Sequence, residues 1–178
     1  QRQMCIRDRI AGLTNCVTLR LDSLATLYSG LGLAKPNHAI GHNESQRTQE
    51  ECRDIIRLHH SKLIANLARK LSEVPEGDGN MLDNTMIVYF SDAANKHHAD
   101  CIEWPYVVVG GCSGRLKLPG RYVRYPQYGE PGCRTIGNWW TTLLNAFGNP
   151  VDHYGNEDLV LKQNGQSILG PLNELMAS

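Results

Sequence analysis

Two short runs of β-branched and aromatic residues, separated by a polar loop, constrain this chain more than anything else in it. They lie within residues 81–114, MLDNTMIVYFSDAANKHHADCIEWPYVVVGGCSG. The first, Thr85-Met86-Ile87-Val88-Tyr89-Phe90, is almost continuously apolar. That is the pattern of a strand covered on both faces. The second, Pro105-Tyr106-Val107-Val108-Val109, repeats it and stops at Gly110-Gly111. In an open α/β sheet, ligands bind beyond the carboxyl ends of the strands. The loop between the runs holds Ser91, Asp92, Asn95, Lys96, His97, His98, Asp100 and Glu103. Asp92 comes just after Phe90, at that end. A carboxylate and two imidazoles there are the residue types that hold a divalent metal ion.

A second chemical locus precedes it. The loop Pro36-Asn37-His38-Ala39-Ile40-Gly41-His42-Asn43-Glu44-Ser45 places His38 and His42 four residues apart. On one helical turn, such a pair faces the same way and can share an ion. Gly41 and the absence of a helical pattern leave an extended or turn geometry open as well.

Residues 48–74 predict a long amphipathic helix. Thr48 and Glu51 have the spacing of a capping box. Cys52, Ile56, Leu63, Leu67, Leu71 and Val74 make an apolar stripe, and Arg53, Arg57, Lys62, Arg69 and Lys70 fall mostly off it. His59 and His60 sit beside the stripe, and one of them is expected to be partly buried and hydrogen-bonded. Residues 75–80, PEGDGN, end the helix in a turn. Residues 14–21, TNCVTLRL, alternate with the period of a strand. Residues 135–147 predict another helix, stopped by Gly148-Asn149-Pro150, with Trp139 and Trp140 in the core. Residues 115–131, rich in Gly, Pro and Tyr, predict a loop or edge hairpin. Residues 151–178 are expected to wrap the surface, with Asn156-Glu157-Asp158 a solvated loop that could hold a cation.

Composition narrows the function classes. At 178 residues the chain fits one domain or part of a larger one, and 41% hydrophobic content is enough for a core. Its 18 basic and 18 acidic residues cancel without a basic stripe, which argues against nucleic acid and membrane surfaces as partners. No apolar run approaches the roughly 20 residues that span a bilayer. None of the six cysteines forms a CxxC pair, so a zinc ribbon or thioredoxin-like motif is not expected. Cys101 and Cys112 flank the second strand; they could pair in an exported protein or remain buried thiols. Residues 1–9, QRQMCIRDR, are polar and aperiodic and read like translated sequencing adapter. They are expected to be non-native, and the natural protein to extend further at its N-terminus.

Taken together, HAIGH (38–42), the long helix, VPEGDGNMLDNTMIVYFSD (74–92), HHADCIEWPYVVVGG (97–111) and a late helix before FGNP (147–150) resemble the HXXSHH-motif proteins. These are uncharacterised, mostly exported bacterial proteins related to the alkaline phosphatase and sulfatase superfamily. The resemblance covers about residues 11–154 and matches only the C-terminal part of such proteins. It implies an alkaline-phosphatase-like α/β sheet sandwiched by helices over residues 10–154, with residues 155–178 a C-terminal tail. It implies a periplasmic or secreted location.

The resemblance also implies a set of site residues. His38 and His42 match the pair that holds one metal ion, Asp92 the strand-end carboxylate that holds a second, and His98 or His97 the late histidine. Three positions depart from the pattern: Gly41 stands for the Ser of the naming motif, Asn43 for its last His, and Ala93 where many superfamily enzymes carry His. The nucleophile of such enzymes lies in an N-terminal region that this chain does not match. Hydrolysis of a phosphate or sulfate ester needs an activated nucleophile and neutralised oxygens, which two divalent ions about 4 Å apart provide. Imidazole and carboxylate ligands favour zinc over magnesium or calcium. Asn95 and Lys96 are candidates for binding an anionic ester oxygen. The expected activity is therefore that of a zinc-dependent hydrolase acting on a small anionic ester. The alternative is a non-catalytic exported binding or structural protein that keeps the fold and at most one metal.

Overall fold

A computed structural model of the chain describes Asp8 and residues 10–91, 103–118, 120–166 and 168–177. The chain is mixed α/β, with helices and, among the described residues, two small antiparallel sheets. The described residues divide into two compact units, one running to Met81 and the other starting at Leu82. Among them, no helix is long and apolar enough to cross a membrane.

The first unit is built on two helices, α1 (Asn37–Gly41) and α2 (Gln49–Ser72). α2 starts as its sequence requires. The Thr48 hydroxyl accepts from the Glu51 amide at 3.2 Å, and the Glu51 carboxylate accepts from the Thr48 amide at 2.9 Å. Its buried residues are Cys52, Ile56, His60 and Leu71, while Leu63 and Leu67 are half-buried. Cys52 and Ile56 pack with Leu33 and Ile40, and Tyr28 and Ile55 close the edge of that cluster. After α2, β1 (Pro75–Glu76) and β2 (Gly79–Asn80) form a minimal antiparallel hairpin. Residues 14–21, expected as a strand, join no sheet. Alternation supplies the right faces, but a strand needs a partner ladder, and here Thr14 satisfies Cys16 locally instead.

In the second unit, β3 (Ile87–Tyr89) and β4 (Val107–Val109) pair antiparallel, Ile87 opposite Val109 and Tyr89 opposite Val107. The expected strands are present but shorter, and half-buried rather than covered on both faces. Met86 and Val88 on one strand, with Tyr106 and Val108 on the other, pack onto a core of Leu116, Trp139, Leu143, Leu172 and Leu175. Phe90 and Val107 are exposed. β4 ends where its backbone meets another at van der Waals range. A Cβ at Gly110 would lie 2.1 Å from the Thr85 carbonyl oxygen, and one at Gly111 2.4 Å from that of Asp83. Only glycine fits there.

α3 (Ile136–Ala146) follows the expected span, with Trp139 in the core. Its buried face is unusual because Asn138, Thr141 and Thr142 lie on it. Each is used. The Asn138 amide donates to the carbonyls of Ile168 and, at 2.8 Å, Gly170. The Thr142 hydroxyl accepts from the Leu172 amide at 2.7 Å, and that of Thr141 from the Tyr154 amide at 2.9 Å. These bonds seat the C-terminal segment, expected to wrap the surface. Instead it supplies buried Leu161, Ile168, Leu172 and Leu175 to two core clusters. The physical reason is the Asn138–Thr142 row, which gives an irregular backbone the partners it needs inside.

Residues 115–118 and 120–131 form the expected loop, tied to the same segment by the Leu116–Met176 bridge and by Tyr125 donating to Glu174 at 2.6 Å. The Asn156-Glu157-Asp158 carboxylates are already committed. Glu157 pairs with Lys162, and Asp158 caps α4 (Leu159–Gln163) through the Val160 and Leu161 amides, both at 3.0 Å.

Replacing Asn138 with alanine should cost roughly 2–4 kcal/mol, because two interior carbonyls lose their donor and α3 loses its first-turn cap. A urea midpoint unchanged from that of the parent chain would contradict this account. Acid should act through Asp158. The Leu161 amide chiefly holds its carboxyl below the usual range, joined by the Tyr128 phenol and the Val160 amide against an opposing effect of burial. A carboxyl depressed on folding stabilises the fold above its unfolded value, and the gain is lost as pH falls through the folded value. Below about pH 4 the urea midpoint should therefore fall less steeply in Asp158→Ala than in the parent chain; parallel slopes would exclude this role.

Candidate metal centre

The HAIGH segment is helical. α1 follows Pro36, whose ψ of 159° is extended, and ends at His42. Ala39 and Ile40 are buried and point the turn's apolar side inward. His38 and His42, one turn apart, come together on another side. Their ring centroids lie 4.7 Å apart at an interplanar angle of 70°, an edge-to-face contact. Of the two geometries open to this loop, the helical one, which lets the pair share an ion, is the one adopted. His38 is half-buried and His42 exposed, so solvent and ions reach the pair.

Two imidazoles fit half of a tetrahedral zinc shell. Among the described residues, no group of three or more His, Cys, Asp or Glu side chains is placed to hold a metal ion. Asp92, His97 and His98, the other expected ligands, and Asn95 and Lys96, the expected substrate contacts, lie outside the described residues, as do Ala93 and Cys101.

Beside α1 is a polar cluster that sequence reasoning found only in part. Buried His60 places Nε2 2.8 Å from the Tyr28 hydroxyl. That hydroxyl donates to Asp22 Oδ2 at 3.0 Å, and so accepts from His60, which fixes the Nε2–H form of the imidazole from the network. Asp22 Oδ2 also accepts from the Asn37 amide group at 3.1 Å and lies 3.9 Å from His60 Nε2. His59 stands at the edge of the Tyr28 ring, 6.0 Å between centroids. The expectation that one of the two histidines is buried and bonded is met by His60. Its signal was the four-residue step Cys52, Ile56, His60, which runs down one helix face. Asp22 and Tyr28 had no such signal, because their connection to His60 is made only by the fold.

The second unit offers less. The glycine-rich turn after β4 is no phosphate cradle, because its amides are spent. Gly111, Cys112 and Ser113 donate to the carbonyls of Leu82, Thr85 and Asp83 at 2.9–3.2 Å. Cys112 is a buried free thiol whose pKa burial pushes up, which makes it a poor nucleophile. A groove of about 410 Å³ is lined by Met86, Trp140, Leu143, Leu144, Phe147 and Tyr154, among others, and none of its described lining residues is charged. Burial pushes the Tyr106 phenol up to about 12.

No protein-family model matches this chain, and no curated protein or solved structure matches it either.

Proposed function

We propose that this chain is the metal-holding, C-terminal part of a metal-dependent hydrolase of phosphate or sulfate esters, of the alkaline phosphatase type, and that the metal is zinc. The observation that supports this most is the contact between His38 and His42 on the single turn of α1. Two imidazoles held side by side, one half-buried and one exposed, are an ordinary way to begin a metal site. His38 and His42 would hold one ion. Asp92, with His97 or His98, matches the remaining ligands of the resemblance, and Asn95 and Lys96 would receive an anionic oxygen of the ester. Zinc in such a place acts as a Lewis acid toward a phosphoryl or sulfuryl oxygen. The reading assigns no nucleophile to this chain, and it places the chain in the α/β fold of that superfamily and outside the cytoplasm.

A second reading is favoured by Ala93, which stands where many superfamily enzymes carry His, and by Gly41 and Asn43, which depart from the naming motif. In it the protein is a non-catalytic, exported binding or structural protein that keeps at most one ion.

Zinc content of the purified chain, loaded and then desalted, separates the two. Two ions per chain support the hydrolase; one or none leaves the second reading alone. His38→Ala and Asp92→Ala should each lower the zinc retained per chain, because each removes one of the few protein ligands a zinc site has. His153→Gln should leave it unchanged. Undiminished zinc in both of the first two variants refutes the ligand assignment.

A further inference from the structure

We propose that Asp22, Tyr28, Asn37 and His60 are positioning residues for the His38–His42 pair, a hydrogen-bonded clamp that holds α1 in the helical turn that brings the imidazoles together. The proposal deepens the metal-centre reading and rests on it.

The need for a clamp follows from length. A first helical turn fixes several dihedrals for one hydrogen bond, so helices shorter than about 12 residues are marginal even when rich in alanine. α1 has five residues, begins with Asn37 and ends with Gly41. Both are weak helix formers. Left to itself this segment would not stay helical, and His38 and His42 would not stay in contact.

The structure supplies the missing order from outside, at both ends of the turn. At its start, the Asn37 amide donates to the Thr26 carbonyl at 2.9 Å and the His38 amide to that of Leu24 at 2.8 Å. The Asn37 side chain adds its bond to Asp22, which is held in turn by Tyr28, which is held by His60 of α2. At its end, the Gln49 side chain of α2 donates to the Gly41 carbonyl at 2.6 Å. Gln49 and His60 belong to one continuous helix and are eleven residues apart, about 16 Å along its axis. α1 is thus strung between two points of a rigid element much longer than itself. His60 is 4% exposed, so water competes little for its bond to Tyr28. The Tyr28 ring packs on the Leu33–Ile40–Cys52–Ile56 cluster, which keeps the hydroxyl in place. Groups bonded directly to a metal ligand weaken metal binding about 10–100-fold when lost; the clamp stands further back and acts on the ligands through the backbone of α1.

The experiment uses the whole chain and the variant Tyr28→Phe, which keeps the ring and removes the hydroxyl. Tyr122→Phe, at a ring 88% exposed, is the control. Two readouts are taken. Without metal, the nuclear Overhauser effect between the His38 and His42 rings should be lost in Tyr28→Phe and kept in Tyr122→Phe. With metal, zinc affinity measured against a competing chelator should fall in Tyr28→Phe, by no more than the roughly 10–100-fold that loss of a group bonded directly to a ligand costs. The visible absorption of the cobalt-loaded chain, which reports ligand geometry and not stability, should change with it. Asn37→Ala removes the other arm of the clamp and should act in the same direction if Tyr28→Phe does not fold. An intact ring contact and an unchanged zinc affinity in these variants overturn the clamp and leave the metal reading standing. If the parent chain binds no zinc, the metal reading falls, and the ring contact alone decides whether the clamp exists.

Discussion

Everything that His38 and His42 can do together depends on a turn of helix that cannot stand alone. Two kinds of contact hold it, and they do different work. Ile40 is 1% exposed and packs with Leu33, Cys52 and Ile56. Burial of that kind is strong but without direction. It fixes α1 against α2 and would tolerate several rotations of the turn. The hydrogen bonds at its two ends choose one rotation. They run from Asn37 to Asp22 at the start and from Gln49 to Gly41 at the finish. In that rotation Ala39 and Ile40 face inward, and the two histidines meet elsewhere on the turn.

The second unit divides the labour in the same way. Trp139, Leu143 and Ala146 give α3 its apolar hold on the core. Asn138 and Thr142, one turn apart, are buried beside them and bond to the backbone at Ile168, Gly170 and Leu172. A segment with little regular structure of its own is thereby set in register against a helix. Interior backbone groups without partners are costly, so the polar row is what allows Ile168 and Leu172 to lie inside. A purely apolar α3 would offer no such partners.

This explains which parts of the chain could be read in advance. Local rules identified α2 and α3 within a residue or two, because a capping box, a helical period and a stop signal are all written in consecutive residues. β3 and β4 were visible as β-branched runs, but not the antiparallel pairing or the half-burial, since both depend on what lies across the sheet. Residues 14–21 alternate like a strand and join no sheet, for want of a partner. Residues 151–177 looked like surface because their apolar residues, Leu161, Ile168, Leu172 and Leu175, follow no period. α3 holds the backbone at Ile168 and Leu172, and Leu161 is buried against Cys133 and Ile168. At the candidate centre, His38 and His42 were legible from spacing. Asp22 and Tyr28 were not, because the bonds that link them to His60 cross more than thirty positions of sequence. The expected ligands Asp92, His97 and His98 lie outside the described residues.

One feature of α2 bears on what the clamp is for. Cys52, Ile56 and His60 form a line of buried residues at four-residue steps. A leucine at the third position would complete an ordinary apolar stripe. Replacing a buried polar network wholesale with well-packed apolar groups is often neutral or stabilising. Stability is therefore a weak reason for a buried imidazole here, with a phenol, a carboxylate and a carboxamide arranged around it. What such a network supplies, and leucine cannot, is direction: each bond constrains an angle as well as a distance. Direction matters only where some group has to be aimed. In α1, Asn37 belongs to the clamp and Ala39 and Ile40 to the core, and Gly41 has no side chain to aim. The groups left to aim are the imidazoles of His38 and, at the helix cap, His42.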